Sequence, residues 1–206
     1  MNRRTALSLF AALAFGAAAA SPASATPSVG APAPAFSATD SSGSPVSLAA
    51  YRGKTGVLEW TNHQCPYVVK HYGSDNMQAL QKEATGDVIV WLQILSSAPG
   101  LGGHLGGKEA VAKNAERGAE PSRVLLDPDG KVGRAYAARH TATMAVIDPK
   151  GTLAYYGAID SDSNWHPSSV KGATNYVRAA LSDLKAGRDM QVAKTRAYGC
   201  SIKYAD

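Results

Sequence analysis

The fold is decided by residues 56–66, which read GVLEWTNHQCP. The mostly apolar run Gly56–Trp60 predicts a short β-strand. Cys65 and Pro66 follow a brief turn, and proline favours the first turn of a helix because its φ is fixed and its missing N–H is not needed there. Side chains at 67, 68, 71 and 72 then recur at helical spacing. The stretch therefore predicts a strand, a turn and a helix, with Cys65 at the N-terminus of that helix.

Further strands and helices are predicted on both sides of this unit. Asp87–Leu95 gives the strongest strand pattern in the chain, apolar enough to be central and covered on both faces. The other predicted elements are a hairpin of Phe36–Thr39 with Val46–Leu48, a helix Glu109–Arg117, a strand Arg123–Leu126, a short helix Lys131–Arg139, strands Met144–Ile147 and Thr152–Gly157, and a helix Ser169–Ala186. This order predicts an α/β protein with a central mixed β-sheet and helices on both faces.

The first 25 residues have the pattern of a secretory signal peptide. Arg3 and Arg4 precede the uncharged run Ala6–Ala20, and Ala23-Ser24-Ala25 has the small-x-small pattern of a cleavage site. The arginine pair is compatible with a Sec signal and with a twin-Arg signal. We therefore expect an exported protein, periplasmic in location. Its apolar run of about 15 residues is shorter than the roughly 20 needed to span a bilayer, so no membrane span is expected.

The rest of the chain predicts one domain with two irregular flanks. The proline-rich residues 26–35 predict an extended linker, residues 36–187 the folded domain, and residues 188–206 a tail that carries Cys200. The chain has a net charge of +5, and removal of the signal with its two arginines leaves +3. Because this charge is spread without a dense basic cluster, no nucleic-acid partner is expected.

Three segments together resemble those of exported peroxiredoxin-like redoxins. They are residues 58–68 (LEWTNHQCPYV), residues 96–100 (SSAPG) and residues 198–204 (YGCSIKY), and the similarity runs from about Phe36 to Tyr204. The resemblance implies a thioredoxin-like fold and thiol redox activity, with an antioxidant role as one form of it. It does not name a substrate.

The sequence departs from its relatives at three places. Leu58 and Asn62 stand where peroxiredoxins carry the proline and the Thr/Ser of Pro-x-x-x-Thr/Ser-x-x-Cys, so only weak peroxide reduction is expected. Asn62 and Val68 also stand three residues before and after Cys65, so no Cys-x-x-Cys pair forms. Ala142 occupies the expected place of a cis-proline, and we expect a trans bond there because a non-proline cis bond costs about 2.5–4 kcal/mol.

The two cysteines are the expected catalytic pair. A helix N-terminus stabilises a thiolate, which makes Cys65 the predicted nucleophile. Cys200 is the only other cysteine and is the predicted resolving thiol, although a permanent structural disulfide explains the same pair. His63 and His71 would add positive charge near Cys65 when protonated. The remaining expected supporting residues are Asn62, Pro66 and Arg139.

Two functions of other classes remain open from the sequence. His63, Cys65, His71 and Cys200 offer thiolates and imidazoles to Cu(I) or Zn(II), which would make the protein a metal-binding module. A structural disulfide would make it a non-catalytic binding module. The preferred hypothesis is an oxidoreductase that needs no cofactor or metal and reacts with a thiol or disulfide protein partner or with a small-molecule oxidant.

Overall fold

The computed structural model describes residues 27–205, and the predicted signal peptide lies outside them. Its strands are β1 (Ser37–Asp40), β2 (Pro45–Ser47), β3 (Gly56–Trp60), β4 (Val90–Leu95), β5 (Arg123–Leu126), β6 (Thr143–Ile147) and β7 (Leu153–Ala158). The helices are α1 (Pro66–Gly73), α2 (Asn76–Gly86), α3 (Gly107–Glu116), α4 (Lys131–Ala135) and α5 (Tyr176–Lys185). Short 3₁₀ turns cover Leu48–Tyr51 and Pro167–Val170.

The seven strands form one mixed sheet in the order β2-β1-β5-β4-β3-β6-β7. Strand β3 lies parallel to β4, which lies parallel to β5, whereas β6 runs antiparallel to β3 and β7 antiparallel to β6. Strand β3 has neighbouring strands on both sides. Residues 61–65, which follow it, therefore lie near the middle of the sheet end at which β3 terminates. This is the mixed sheet that the sequence predicts.

Side chains alternate between two cores on opposite faces of the sheet. Val57 and Trp91 point toward a core closed by α1, α2 and α5, whereas Leu58 and Leu92 point toward the core that includes α4. The helices therefore cover both faces, as expected from the order of elements. Burial of these apolar side chains provides the main stabilisation, at about 25 cal/mol per Å² of apolar surface.

The structure differs from the predicted elements in several boundaries. The predicted helix after Cys65 is two helices, because Asp75 adopts a left-handed conformation with a φ of 57° between them. The final helix begins at Tyr176 and not near Ser169, since the side chain of Asn175 caps it by accepting a hydrogen bond from the Arg178 N–H. Residues 26–35 are predicted to be an extended linker, but Gly30 lies in a turn with a φ of 85°, and residues 30–33 hydrogen-bond to residues 151 and 153 at the start of β7.

None of the helices within residues 27–205 is long and apolar enough to span a membrane.

Candidate active site

Cys65 lies at the N-cap of α1, where Pro66 begins the helix. Its carbonyl accepts the first helical hydrogen bond from the N–H of Val69, at 2.8 Å. The residue is only 1% exposed, because its side chain is part of the core beneath α1 and α2. The fixed φ of Pro66 thus places the sulfur at the positive end of the helix dipole, as the sequence predicts.

A C-terminal segment, residues 193–204, carries Cys200 to Cys65; we call it the C-terminal strap. It has no regular secondary structure, yet backbone hydrogen bonds hold it along the domain. The Thr141 N–H donates to the Cys200 carbonyl at 2.8 Å, and the Ile202 N–H donates to the Arg139 carbonyl at 3.0 Å. The backbone N–H of Cys200 then donates to Cys65 Sγ at 3.3 Å. Both cysteines are free thiols in this state.

Gly199 allows this close approach of the strap. Its φ is 126°, and a Cβ at this position would lie 2.0 Å from the carbonyl oxygen of Thr141. Only glycine fits a left-handed backbone pressed against another chain segment in this way. The glycine before Cys200 is therefore a structural requirement of the contact between the two cysteines.

The surroundings of the two cysteines shift the pKa values of their thiols in opposite directions. Burial opposes ionisation of Cys65, but hydrogen bonds from Cys200, from the Thr141 side chain and from the Val68 N–H outweigh it and lower the pKa of the Cys65 thiol. Burial and the neighbouring Cys65 sulfur raise the pKa of Cys200 to about 12. Cys65 therefore ionises first, and Cys200 remains a thiol that donates to it.

Asn62 shapes the turn before Cys65. Its carbonyl accepts from the Cys65 N–H at 3.0 Å, its side-chain Oδ1 accepts from the Gln64 N–H at 2.8 Å, and its Nδ2 donates to the Gly102 carbonyl at 3.4 Å. A Cβ on Gly103 would lie 2.2 Å from this amide, so the Gly-rich loop packs directly on it. Asn62 thus holds the turn and the loop together at the position where peroxiredoxins carry a hydroxyl.

The other predicted supporting residues lie in different surroundings. Pro66 is exposed at the start of α1, and the side chain of Arg139 is exposed, so Arg139 contributes its backbone carbonyl to the strap. His63 is partly buried, and burial together with Lys113 and Arg117 lowers its pKa, which keeps it neutral beside α3. His63 therefore supplies no positive charge at neutral pH.

His71 belongs to a buried polar network that the sequence analysis did not identify. Asn76 Nδ2 donates to His71 Nδ1 at 2.9 Å, and the proton on Nε2 then faces the Tyr198 hydroxyl at 2.8 Å. That hydroxyl donates to Asp160 Oδ1, which also pairs with the fully buried Lys70 at 3.6 Å. Burial and Lys70 lower the pKa of His71 to about 3, so it is a neutral member of the network. We call these five residues the Asp160 network.

The Asp160 network connects α1 to the strap. Tyr198 lies two residues before Cys200, and its ring also packs against Tyr67, two residues after Cys65, with 5.6 Å between ring centroids. The sequence contained one signal of this role, since the segment 198–204 is one of the three that carry the family resemblance. Nothing local to Asp160 or Lys70 indicates that they would meet.

Ala142, at the expected cis-proline position, has a trans peptide bond, as do all residues between 27 and 205. Its φ is 64°, and its N–H donates to the Trp60 carbonyl at 2.8 Å. This conformation turns the chain so that Thr141 faces the strap.

The four residues expected for a metal site are not all brought together. Within residues 27–205, no three side chains from His, Cys, Asp and Glu are arranged to hold a metal ion. His71 directs both ring nitrogens at the Asp160 network, and His63 lies beside α3. Of the four expected ligands, the structure places Cys65 and Cys200 together and both histidines in other surroundings.

Comparison with known proteins identifies the family of the chain. The family model described as Redoxin matches residues 28–174, so the chain belongs to the redoxin family. This membership assigns it to the oxidoreductases in general. No curated protein matches the chain.

Three solved structures show the fold. A hypothetical protein from Sinorhizobium meliloti is 23% identical with a TM-score of 0.74, covering 88% of this chain and 97% of its own. A proposed protein disulfide isomerase from Bacteroides thetaiotaomicron is 18% identical with a TM-score of 0.57, covering 78% and 92%. The thioredoxin domain of a thiol-disulfide oxidoreductase from Bacteroides vulgatus is 18% identical with a TM-score of 0.50, covering 70% and 96%. The fold of this chain is thioredoxin-like, as its sequence predicts.

Proposed function

We propose that the protein is an exported thiol–disulfide oxidoreductase, with Cys65 as nucleophile and Cys200 as resolving thiol. The observation that carries this proposal is the 3.3 Å contact from the Cys200 N–H to Cys65 Sγ, made between two free cysteines with unequal proton affinities. A purely structural pair does not need a nucleophile at a helix N-terminus. Redoxin membership and the thiol–disulfide oxidoreductases of the same fold support the assignment.

The reaction proceeds in two exchanges. The Cys65 thiolate attacks one sulfur of a substrate disulfide, which forms a mixed disulfide and releases the other substrate sulfur as a thiolate. Cys200 loses its proton and attacks the Cys65 sulfur, which forms the Cys65–Cys200 disulfide and releases the second substrate thiolate. Two electrons pass from the protein to the substrate. Because Cys65 is 1% exposed, this substrate must be small or must displace the strap.

Peroxide reduction is expected to be slow. Asn62 stands where peroxiredoxins carry the Thr/Ser and has no hydroxyl to activate a peroxide at Cys65, and its amide is held by the Gly-rich loop. Leu58, which replaces the proline, is fully buried within β3. The second-order rate constant for hydrogen peroxide consumption by the reduced protein should stay below about 10⁶ M⁻¹s⁻¹, well under the diffusional limit. A faster reaction would show that another donor, such as Thr141, replaces the missing hydroxyl.

Export is supported by the signal pattern of residues 1–25, and we propose the periplasm as the location. An oxidising compartment suits a protein whose two cysteines cycle between dithiol and disulfide. Fractionation of cells that express the full chain, with N-terminal sequencing of the exported form, tests the location and the cleavage after residue 25.

A redox titration tests the proposed function. The protein is equilibrated in glutathione or dithiothreitol buffers, and the Cys65–Cys200 bond is followed by mass after alkylation. Exchange-active disulfides have potentials of about −120 to −270 mV, whereas structural ones lie below about −300 mV. A value in the first range is expected. A value below about −300 mV, together with a large loss of thermal stability on reduction, would instead assign the pair to a structural disulfide.

The cysteine variants separate the two roles. Cys65→Ser is expected to lower the dithiothreitol-driven reduction of a small disulfide to the uncatalysed rate, because it removes the nucleophile. In a single turnover without dithiothreitol, the reduced Cys200→Ser variant is expected to stop after the first exchange and to accumulate a mixed disulfide on Cys65. Unchanged turnover in the Cys65→Ser variant would reject the proposed mechanism.

A further inference from the structure

The strap is paired in antiparallel fashion with residues 139–141, just before β6. The Thr141 N–H donates to the Cys200 carbonyl at 2.8 Å, and the Ile202 N–H donates to the Arg139 carbonyl at 3.0 Å. Because both bonds join backbone groups, they require no particular side chain, and an extended peptide added in the same way makes the same bonds. Residues 139–141 are therefore a place that another extended segment with fitting side chains can occupy.

The side chains of the strap alternate between the protein and the solvent. Tyr198 and Cys200 are partly buried against the core beneath α1 and α2, and Ile202, 8% exposed, belongs to the core that includes α4. Ser201 and Lys203, which follow Cys200 and Ile202, are exposed. This alternation is the period of an extended chain. The protein therefore contacts the side chains two residues before and two residues after the cysteine.

The place of Tyr198 fits an aromatic side chain. Its ring packs against Tyr67 with 5.6 Å between ring centroids, and its hydroxyl donates to Asp160 and faces His71 Nε2 at 2.8 Å. An aliphatic side chain makes none of these polar contacts and leaves the buried Asp160 carboxylate with one donor fewer, which costs free energy. The position two residues before the cysteine therefore selects an aromatic side chain.

The position directly before the cysteine accepts only glycine. A Cβ on Gly199 would lie 2.0 Å from the carbonyl oxygen of Thr141, and the φ of 126° disfavours any other residue. The obstacle is a backbone atom of the same residue whose N–H holds the Cys200 carbonyl, so it cannot turn aside as a flexible side chain would. The four requirements together are an aromatic residue, a glycine, a cysteine and, after one free position, an aliphatic residue.

We propose that the strap is a built-in copy of the substrate, and that the protein reduces disulfides whose cysteine lies in an extended segment of the pattern aromatic-glycine-cysteine-x-aliphatic, seated on residues 139–141 in place of the strap. This inference rests on the proposed dithiol–disulfide function. Because the Cys200 N–H lies 3.3 Å from Cys65 Sγ, a cysteine seated in the same way brings its sulfur to the nucleophile.

The exchange of segments accompanies the exchange of sulfurs. The Cys65 thiolate attacks the sulfur of the seated cysteine, the substrate disulfide breaks, and the other substrate sulfur leaves as a thiolate. The strap then reclaims its bonds to residues 139–141, and the Cys200 thiolate attacks the Cys65 sulfur. The seated cysteine leaves as a thiolate and the Cys65–Cys200 bond forms. Two electrons pass from the protein to the substrate, and the return of the strap expels the product.

A peptide with the sequence of residues 193–204 tests the proposed pattern. Its cysteine is linked to 5-thio-2-nitrobenzoate, which has a low thiol pKa and therefore leaves when Cys65 attacks the peptide sulfur. The matched peptides carry Gly199→Ala, Tyr198→Ala or Ile202→Ser. With the reduced wild-type protein, each change is expected to slow reporter release, and Gly199→Ala by about tenfold or more. Free glutathione should react with all the peptides within about twofold, because their disulfides are the same.

The outcomes separate this inference from the proposed function. Equal rates of all the peptides with the wild-type protein, above the rate with Cys65→Ser, would overturn the substrate pattern and support the thiol exchange itself. Equal rates with the wild-type protein and with Cys65→Ser would reject the proposed function, and this inference would fail with it.

Hydrogen exchange tests whether the peptide takes the place of the strap. The isotope-labelled Cys200→Ser variant is trapped as a mixed disulfide of Cys65 with the unlabelled peptide, or with glutathione as the control. In the peptide adduct, the Ile202 N–H of the protein is expected to lose protection, whereas the Thr141 N–H keeps it because the peptide carbonyl replaces that of the strap. In the glutathione adduct, neither bond has a substitute. Loss of protection at Thr141 in the peptide adduct, or retained protection at Ile202, would overturn the proposal.

Discussion

Removal of the Tyr198 hydroxyl is expected to weaken the hold of the strap on the cysteine pair. The hydroxyl donates to the Asp160 carboxylate and faces His71 Nε2 at 2.8 Å. A hydrogen bond to a charged group contributes about 1.5–3 kcal/mol and a neutral one about 0.5–1.5 kcal/mol. Tyr198→Phe should therefore lower the free energy of unfolding by about 2–4.5 kcal/mol. At roughly 2–4 °C per kcal/mol for a domain of this size, the Tm should fall by about 4–18 °C.

Tyr204→Phe is the matched control. Tyr204 is a second partly buried tyrosine of the strap, and its hydroxyl donates to the neutral Ala138 carbonyl at 2.6 Å. Its loss should cost about 1 kcal/mol. Urea denaturation gives both free energies, and the slope of each transition shows whether unfolding remains two-state.

The Tyr198→Phe variant should also change the chemistry of Cys65. A displaced strap moves the Cys200 N–H away from Cys65 Sγ, so the alkylation midpoint of Cys65 should rise toward the value of about 8.5 of a free thiol. Equal destabilisation of the two tyrosine variants, with an unchanged alkylation midpoint, would refute the idea that the Asp160 network positions Cys200.

Three further predictions concern the same region. His71 stays neutral in the folded protein down to a pH of about 3 but takes up a proton near pH 6.5 when the chain is unfolded. As the pH falls between these values, the free energy of unfolding should therefore decrease by up to about 1.4 kcal/mol per pH unit. Urea titrations at pH 7 and pH 4.5 should show a smaller decrease in this free energy for His71→Gln than for the wild type. Gly199→Ala places a Cβ against the Thr141 carbonyl, and calorimetry should show a loss of about 1–3 kcal/mol, whereas an unchanged Tm would mean that the strap shifts freely. Cys200→Ala removes the side-chain donor to Cys65 that Cys200→Ser keeps, so pH-dependent alkylation should give the higher Cys65 midpoint in the alanine variant; identical midpoints would contradict a role of that donor.

The sequence by itself determined the features that depend on local preference. The apolar run of β3 needs burial, Pro66 fits the first turn of a helix without losing a hydrogen bond, and so Cys65 was placed correctly at the start of α1. The alternation of strands and helices then predicted the mixed sheet covered on both faces. These preferences act over a few residues and do not require knowledge of a distant partner.

Only the tertiary structure decided where the strap lies and what surrounds the cysteines. Backbone hydrogen bonds to residues 139, 141 and 156 hold much of the strap. Because backbone groups are the same in every sequence, the composition of the strap does not indicate which residues it contacts. Backbone hydrogen bonds hold the strap so that Cys200 lies beside Cys65, whereas the sequence predicted only an irregular tail that carries Cys200. In the Asp160 network, Asp160 and Tyr198 contact partners about 40 to 130 positions away in the chain, and each of these residues resembles an ordinary surface residue when taken alone. The physical reason is that burial, which makes these charges and hydroxyls act on one another, exists only after the chain has folded.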